Sequence, residues 1–212
     1  MLSDQQIDFL AEFSKKKRYK RGALIAEQGK RIEALHIILV GRVKAFTQHS
    51  DGRGVILSVL GQGDYFGEYG LIENAPHPYS TRAEILTDVM QIHTGALSRF
   101  LPRNESIAYS FLQGLLQKIE SAHQNIESLV LLDVHSRVIR ALLNSAEADL
   151  NGELLVHKSI SRSDIAQIVG ASREMVSRVV KNLIAAGHIE ILHSKNIRIL
   201  NPDQLRLHLE AG

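Results

Sequence analysis

The sequence predicts an α+β protein: an N-terminal antiparallel β-roll, one long helix with a seam for a second copy, and a C-terminal winged helix-turn-helix. Three observations carry this prediction. Between Gly22 and His93, short β-rich runs alternate with glycines. From Leu112 to Leu129, apolar residues recur at steps of 3, 4, 3, 4 and 3. From Ser161 to Leu200, two short amphipathic helices lead into a pair of β-branched segments. The expected divisions are residues 1–110, 111–133 and 134–212.

In chain order, residues 3–13 place Ser3 at a cap and Ile7, Leu10 and Phe13 at helical spacing, which predicts a short opening helix. Lys15-Lys16-Lys17-Arg18, with Lys20 and Arg21, reads as a solvated surface turn. Then come LIAEQG, ALHIILVGRVKAF, GVILSVLGQGDYFGE and TRAEILTDVMQIH, with turns at Gly29, Gly41, Asp51-Gly52, Gly61 and Gly63. Strands this short, with no helix between them to carry a parallel crossover, predict an antiparallel roll. Gly61, Gly63 and Gly67 do not form a dinucleotide fingerprint: three residues precede the last glycine, and strands flank the run.

Leu97 to Asp133 reads as helix. Leu112, Leu115, Ile119, Ala122, Ile126 and Leu129 form the a/d seam of a two-stranded coiled coil, and Phe111, Leu116 and Val130 add a flank suited to packing on the roll. The pattern stops at Leu132-Asp133-Val134-His135, a hinge. A new helix then sets Val138, Ile139, Leu142 and Leu143 against Arg137 and Arg140. Asn151-Gly152 predicts a hairpin between Ala148–Leu150 and Glu153–Val156.

Ser161 and Asp164 are spaced as a capping box, ahead of Ile165, Ala166, Ile168 and Val169. Gly170 permits a sharp turn, and Ser172 is placed to cap the helix that follows. At about 3.6 residues per turn, Val176, Val179, Val180 and Leu183 fall on one stripe and Arg173, Glu174, Ser177, Arg178 and Lys181 on another. The second stripe has the residue types that read a B-DNA major groove. Arg can donate two hydrogen bonds to guanine O6 and N7, and Glu can accept from cytosine N4. His188 to Leu192 and Ile197 to Leu200 then pair across a tip where Ser194 and Lys195 can reach phosphate.

The run ISRSDIAQIVGASREMVSRVVKNLIAAGHIE resembles the DNA-binding domain of the bacterial cyclic-AMP receptor protein and fumarate-nitrate reduction regulator family. The β-rich half, with its glycine-punctuated GQGDYFGE, more loosely resembles that family's cyclic-nucleotide-binding jelly roll. The resemblance implies a cytoplasmic, homodimeric transcription regulator whose partners are double-stranded DNA, a second copy and RNA polymerase. It assigns base reading to Arg173, Glu174, Ser177 and Arg178, and backbone contacts to Ser161, Ser172, Lys181, Ser194 and Lys195. Glu174, Ser177 and Arg178 match the fumarate-nitrate branch, while Arg173 tilts the expected half-site toward TGTGA over TTGAT. The operator should be an inverted repeat.

An effector pocket is implied around Gly67, Glu68, Tyr69, Gly70, His77, Tyr79, Ser80, Arg82 and His123. In cyclic-AMP-binding members a short helical turn begins at the positions of Gly67 and Glu68, and an arginine and serine then close on the phosphate. Here His77-Pro78 stand at those two positions. Neutral His and Pro offer a phosphate neither a fixed charge nor a bidentate donor. The adjacent hydroxyl pair that meets adenine on the long helix is replaced by Ala122-His123. The effector is therefore open among cyclic AMP, another nucleotide, a heme or gas, another small molecule, or none.

The absence of cysteine from the sequence excludes an iron-sulfur cluster, disulfides and thiolate zinc sites. There are ten histidines but no HExxH, nucleophile elbow or P-loop, so neither a catalytic site nor a metal site is expected. A stand-alone nucleotide-sensing module is the other class considered, and the charged stripe on the second helix argues against it. No run approaches the roughly 18 apolar residues of a membrane span. Net charge is +2; Lys and Arg number 10 against 8 acids from Val134 onward, so the surplus lies in the expected DNA-reading half.

Overall fold

The computed structural model describes residues 13–48, 54–72, 75–149, 151–157 and 160–210. The expected helix over 3–13 (Phe13 apart), the Asp51-Gly52 turn and Leu150 lie outside the described residues. The chain divides into two compact units, residues 1–120 and 121–212.

The first unit holds β1 (Ser14–Tyr19), β2 (Leu24–Ala26), β3 (Ala34–Val40), β4 (Val43–Gln48), β5 (Gly54–Leu60), β6 (Tyr65–Phe66), β7 (Ser80–Ala83) and β8 (Thr87–His93). They form two four-stranded sheets, ordered β1-β8-β3-β6 and β2-β7-β4-β5. Every pairing within them is antiparallel. Strand alternation turns Val43 of the second sheet onto Ile38, Phe66 and Val89 of the first, which joins the two sheets in one apolar cluster, while Leu35 and Ile92 pack with Leu97, Phe100 and Ile107 in a second. Against Phe66 lies a part-buried polar group. The His36 ring stacks on Phe66 at 4.7 Å, its Nδ1 lies 3.0 Å from the Ala34 carbonyl and its Nε2 lies 2.7 Å from Gln91 Nε2. Burial depresses the His36 pKa to about 4.

The basic run departs from its expected form. Lys15 to Arg18 are not a turn but part of the edge strand β1, paired along its length with β8. The reason lies 70 residues away. Arg18 faces Asp88 across the strands and donates to both carboxylate oxygens at 2.6 and 2.8 Å, and Lys16 adds a contact of 3.1 Å. Asp88 is held well below the usual carboxylate range by the Arg18 hydrogen bonds. A lysine-rich edge also deters pairing with another sheet.

The expected continuous helix from Leu97 is two helices. The first is α1 (Thr94–Phe100), followed by a 3-10 turn at Leu101–Arg103 and then α2 (Glu105–Leu131). Pro102 lacks the N–H that would continue α1, and Asn104, at φ −137° and ψ 78°, leaves the helical region. On α2, Leu112, Ile119, Ala122, Ile126 and Leu129 are exposed while Leu115 is half-buried. Phe111 packs on Tyr65 at 5.2 Å. Leu116, expected to pack on the roll, is instead exposed.

The second unit contains the end of α2, then α3 (Val134–Asn144), β9 (Ala146–Ala148), β10 (Leu154–Val156), α4 (Arg162–Val169), α5 (Arg173–Ala185), β11 (Ile189–Ile191), β12 (Ile197–Ile199) and α6 (Pro202–Glu210). The break between α2 and α3 falls at the expected hinge, where the Asp133 carboxylate accepts from Ser136 N–H at 2.8 Å and caps α3. That bond holds the Asp133 pKa down. A hairpin is present, but its first strand lies earlier than the expected Ala148–Leu150: β9 pairs with β10 across a longer loop tied by Asp149, which accepts from the N–H groups of Asn151 and Glu153. It does not stand alone: β10 also pairs with β12, giving one sheet ordered β11-β12-β10-β9. Val138, Ile139, Leu142, Ile165, Val176, Val180 and Leu183 share a single core with Ile189 and Leu205. Each contributes about 1.5–3 kcal/mol by full burial.

Candidate nucleic-acid interface and ligand pocket

The helix-turn-helix is built from its caps. Ser161 Oγ accepts from Asp164 N–H at 3.1 Å, while Asp164 Oδ2 accepts from Ser161 N–H at 2.9 Å and from its hydroxyl at 2.6 Å. Gly170 ends α4 in the left-handed region at φ 62°. Ser172 then opens α5 by accepting from Met175 N–H at 3.2 Å. Of the three serines expected on the DNA backbone, Ser161 and Ser172 are thus also structural caps.

Because Val176, Val179, Val180 and Leu183 are locked into the core, the opposite face of α5 has one orientation. Arg173, Glu174, Ser177, Arg178 and Lys181 line an open depression of about 420 Å³ on that face. No ion pair among the described residues engages Arg173, Arg178 or Lys181. The Glu174 carboxyl is held below its usual range, first by its own backbone N–H and then by the Ser172 hydroxyl, so it is an acceptor at neutral pH. At the wing tip, Ser194 and Lys195 are exposed. Lys195 has φ 66°, the only positive φ of a non-glycine among the described residues. Its N–H closes a turn onto the Leu192 carbonyl at 2.8 Å.

In the first unit, a 3-10 turn spans Glu68–Leu71, as the resemblance implies. Gly67 precedes it at φ 94°, and a Cβ there would collide with the Ala34 carbonyl oxygen. Glu68 Oε1 accepts from Lys118 Nζ of α2 at 3.0 Å. Lys118 also donates to the Tyr65 carbonyl at 2.8 Å and sits 4.0 Å from the centre of the Tyr65 ring. His77 is 1% exposed, stands edge-on to Tyr79 at 4.3 Å and bonds the Tyr79 carbonyl through Nδ1. Its pKa is lowered chiefly by burial, so the ring is neutral at neutral pH, with Nδ1–H the donor. Tyr69 flanks both rings, 6.1 Å from His77 and 6.4 Å from Tyr79. Burial and Glu68 push the Tyr79 hydroxyl pKa far up.

Gly67, Glu68, Tyr69, Gly70, His77 and Tyr79 thus belong to one neighbourhood, but two expected members turn elsewhere. Ser80 Oγ accepts from Gln28 N–H at 3.0 Å. Arg82 is exposed over the Phe46 ring at 5.0 Å, because alternation along β7 sends Thr81 and Ala83, not Arg82, to the core. His123 is exposed on α2. Sequence reasoning missed Lys118. Its only signal was a lone cation beside the seam residue Ile119, and its partner Glu68 is 50 residues away.

Two family models match the chain: a cyclic nucleotide-binding domain over residues 16–104 and a Crp-like helix-turn-helix domain over residues 136–207. The cAMP-activated global transcriptional regulator Vfr of Pseudomonas aeruginosa is 29% identical over 196 residues, covering 88% of this chain and 90% of Vfr. The cAMP-activated global transcriptional regulator CRP of Salmonella typhimurium is 30% identical over 180 residues, covering 80% of this chain and 84% of CRP. FixK2 of Bradyrhizobium japonicum superposes with a TM-score of 0.81 at 23% identity, covering 92% of this chain and 96% of FixK2. With a nucleotide-binding-type roll, a Crp-like helix-turn-helix and transcription regulators rather than enzymes as relatives, the chain belongs to the cyclic-AMP receptor protein/fumarate-nitrate reduction regulator (CRP/FNR) family of transcription regulators.

Proposed function

We propose that the protein is a homodimeric, sequence-specific DNA-binding regulator that reads an inverted repeat with TGTGA-like half-sites, TTGAT being the alternative. Residues 134–212 read DNA, 111–133 join two copies and form the hinge, and 1–110 hold a small effector. The observation that carries this reading is the unpaired polar face of α5, fixed in orientation by the core beneath it. Arg173, Glu174, Ser177 and Arg178 meet bases. Lys181, Ser194 and Lys195, with the caps Ser161 and Ser172, meet phosphates. The exposed seam from Leu112 to Leu129 pairs with its copy and sets the two reading heads about 34 Å apart. RNA polymerase is the further partner of the bound dimer.

For the effector, the pocket chemistry favours something other than cyclic AMP, although Vfr and CRP are named as cAMP-activated. His77 is buried and neutral, and Glu68 already holds Lys118, so a phosphate would meet no fixed unpaired cation there. The tight packing of His77 against Tyr79 also supports a second reading, a regulator that needs no ligand. Fluorescence anisotropy on a TGTGA-type inverted repeat at fixed salt, with and without cyclic AMP, separates these readings. The expected result is binding tighter than to random DNA and unchanged by cyclic AMP. Enhancement by the nucleotide would refute the effector reading, and equal affinity for random DNA would refute the base-reading one.

A further inference from the structure

Met175 is the third residue of α5, between Glu174 and the buried Val176. It is an apolar side chain standing 43% exposed at the start of the helix that bears the polar stripe of Arg173, Glu174, Ser177, Arg178 and Lys181. Its backbone N–H is already satisfied by Ser172, so the side chain has no capping duty. At about 100° per residue, Arg173 and Met175 flank Glu174 symmetrically, one on each side, and Met175 is the farther of the two from the buried stripe. Among the described residues no core cluster includes it. The first turn of a recognition helix is the part that enters the major groove. There the one apolar feature a base pair displays is the thymine C5-methyl group. A thioether on three rotatable bonds can adapt to that methyl, whereas it can offer a phosphate no hydrogen bond.

We propose that Met175 is a specificity-determining residue that packs against the C5-methyl of a thymine in the half-site, adding an apolar element to the reading by Arg173, Glu174 and Arg178. This rests on the DNA-reading function proposed above. One methyl group removed from contact is worth about a fourfold change in affinity.

The test uses the full-length chain and a duplex selected by it from a randomised pool. Each thymine in the half-site is replaced in turn by deoxyuridine, which removes only the methyl, and affinities are read by anisotropy at fixed salt. One position should lose about fourfold with the wild-type chain. Met175→Ala should bind the thymine duplex about fourfold more weakly and be indifferent to deoxyuridine at that position, while Met175→Leu should stay sensitive. Equal loss by Met175→Ala on selected and random DNA would mean a sugar or backbone contact and overturn the assignment. So would a wild-type chain indifferent to every deoxyuridine. A chain that selects no site at all would overturn the DNA-reading function and this role with it.

Discussion

The buried carboxylates of the roll and the exposed cations of α5 differ in how they are partnered. In the roll, Asp88 holds Arg18 and Lys16, Glu84 holds Lys44, and Glu68 holds Lys118. On α5, Arg173, Arg178 and Lys181 stand without an ion pair among the described residues, on the face opposite a buried apolar stripe. Charges satisfied within the chain serve the fold. Charges left unsatisfied on a rigid face are available to a partner, and an already ordered face gives up little entropy when bound. Substitutions in the roll should therefore change stability, and substitutions on the exposed faces should change binding at constant stability.

The sharpest break in this contrast is expected at the seam. Ile119→Lys with Ile126→Lys places charge on two exposed positions of α2 and should leave the thermal transition in place. It should convert the proposed dimer to monomer in light scattering and lower operator affinity on the order of 10²-fold through lost avidity. Gly67→Ala tests the other side. The added Cβ collides with the Ala34 carbonyl oxygen in a left-handed backbone. Urea unfolding should show a loss of roughly 3–4 kcal/mol, while the wing and reading helix of the surviving folded fraction stay unchanged.

Acid should act on the roll as well. His36 titrates near 4 in the fold against 6.5 when unfolded, so between those pH values the unfolded chain binds the extra proton. Stability is intact above pH 6.5 and falls as the pH drops toward 4, by about 3 kcal/mol for a shift of this size. His77, shifted the same way, steepens the fall. Urea midpoints measured across this range should flatten in His36→Gln. At the interface, Arg178→Ala should cost about 1–3 kcal/mol on the selected site and relax base preference there, whereas Lys195→Ala should weaken all sequences alike and lower the salt slope by about one. Anisotropy on specific and random duplexes at several salt concentrations distinguishes the two. The smallest effect is expected from Ser161→Ala, about 1 kcal/mol of stability from the lost capping box, read from the thermal transition.

How much was legible in the sequence depended on the range of the interactions involved. The capping box at Ser161 and Asp164, the turn at Gly170, the stripe from Val176 to Leu183 and the helix break at Asp133 all arise within about two helical turns, and each stands where its spacing placed it. The expected effector site was legible only in part. Gly67, Glu68 and His77 come together, but the outward turn of Arg82 depends on the register of β7 against β4, which one strand's sequence does not contain. The closing helix α6 was missed although Pro202 at its first position is a start signal, because Leu205 makes its apolar face visible only against the core it covers.

Periodicity and local chemistry by themselves determined that this chain would have a roll, a long seam-bearing helix and a winged helix with Arg173, Glu174 and Arg178 on one face. Such patterns are written within a few residues and survive any arrangement of the rest. Only the tertiary structure decided that the basic run would be an edge strand, since Asp88 is 70 residues from Arg18. Only it decided that Lys118 would close on Glu68 and that Met175 would be left uncovered. Those outcomes depend on partners brought together by folding, and an isolated segment carries no record of what will lie across from it.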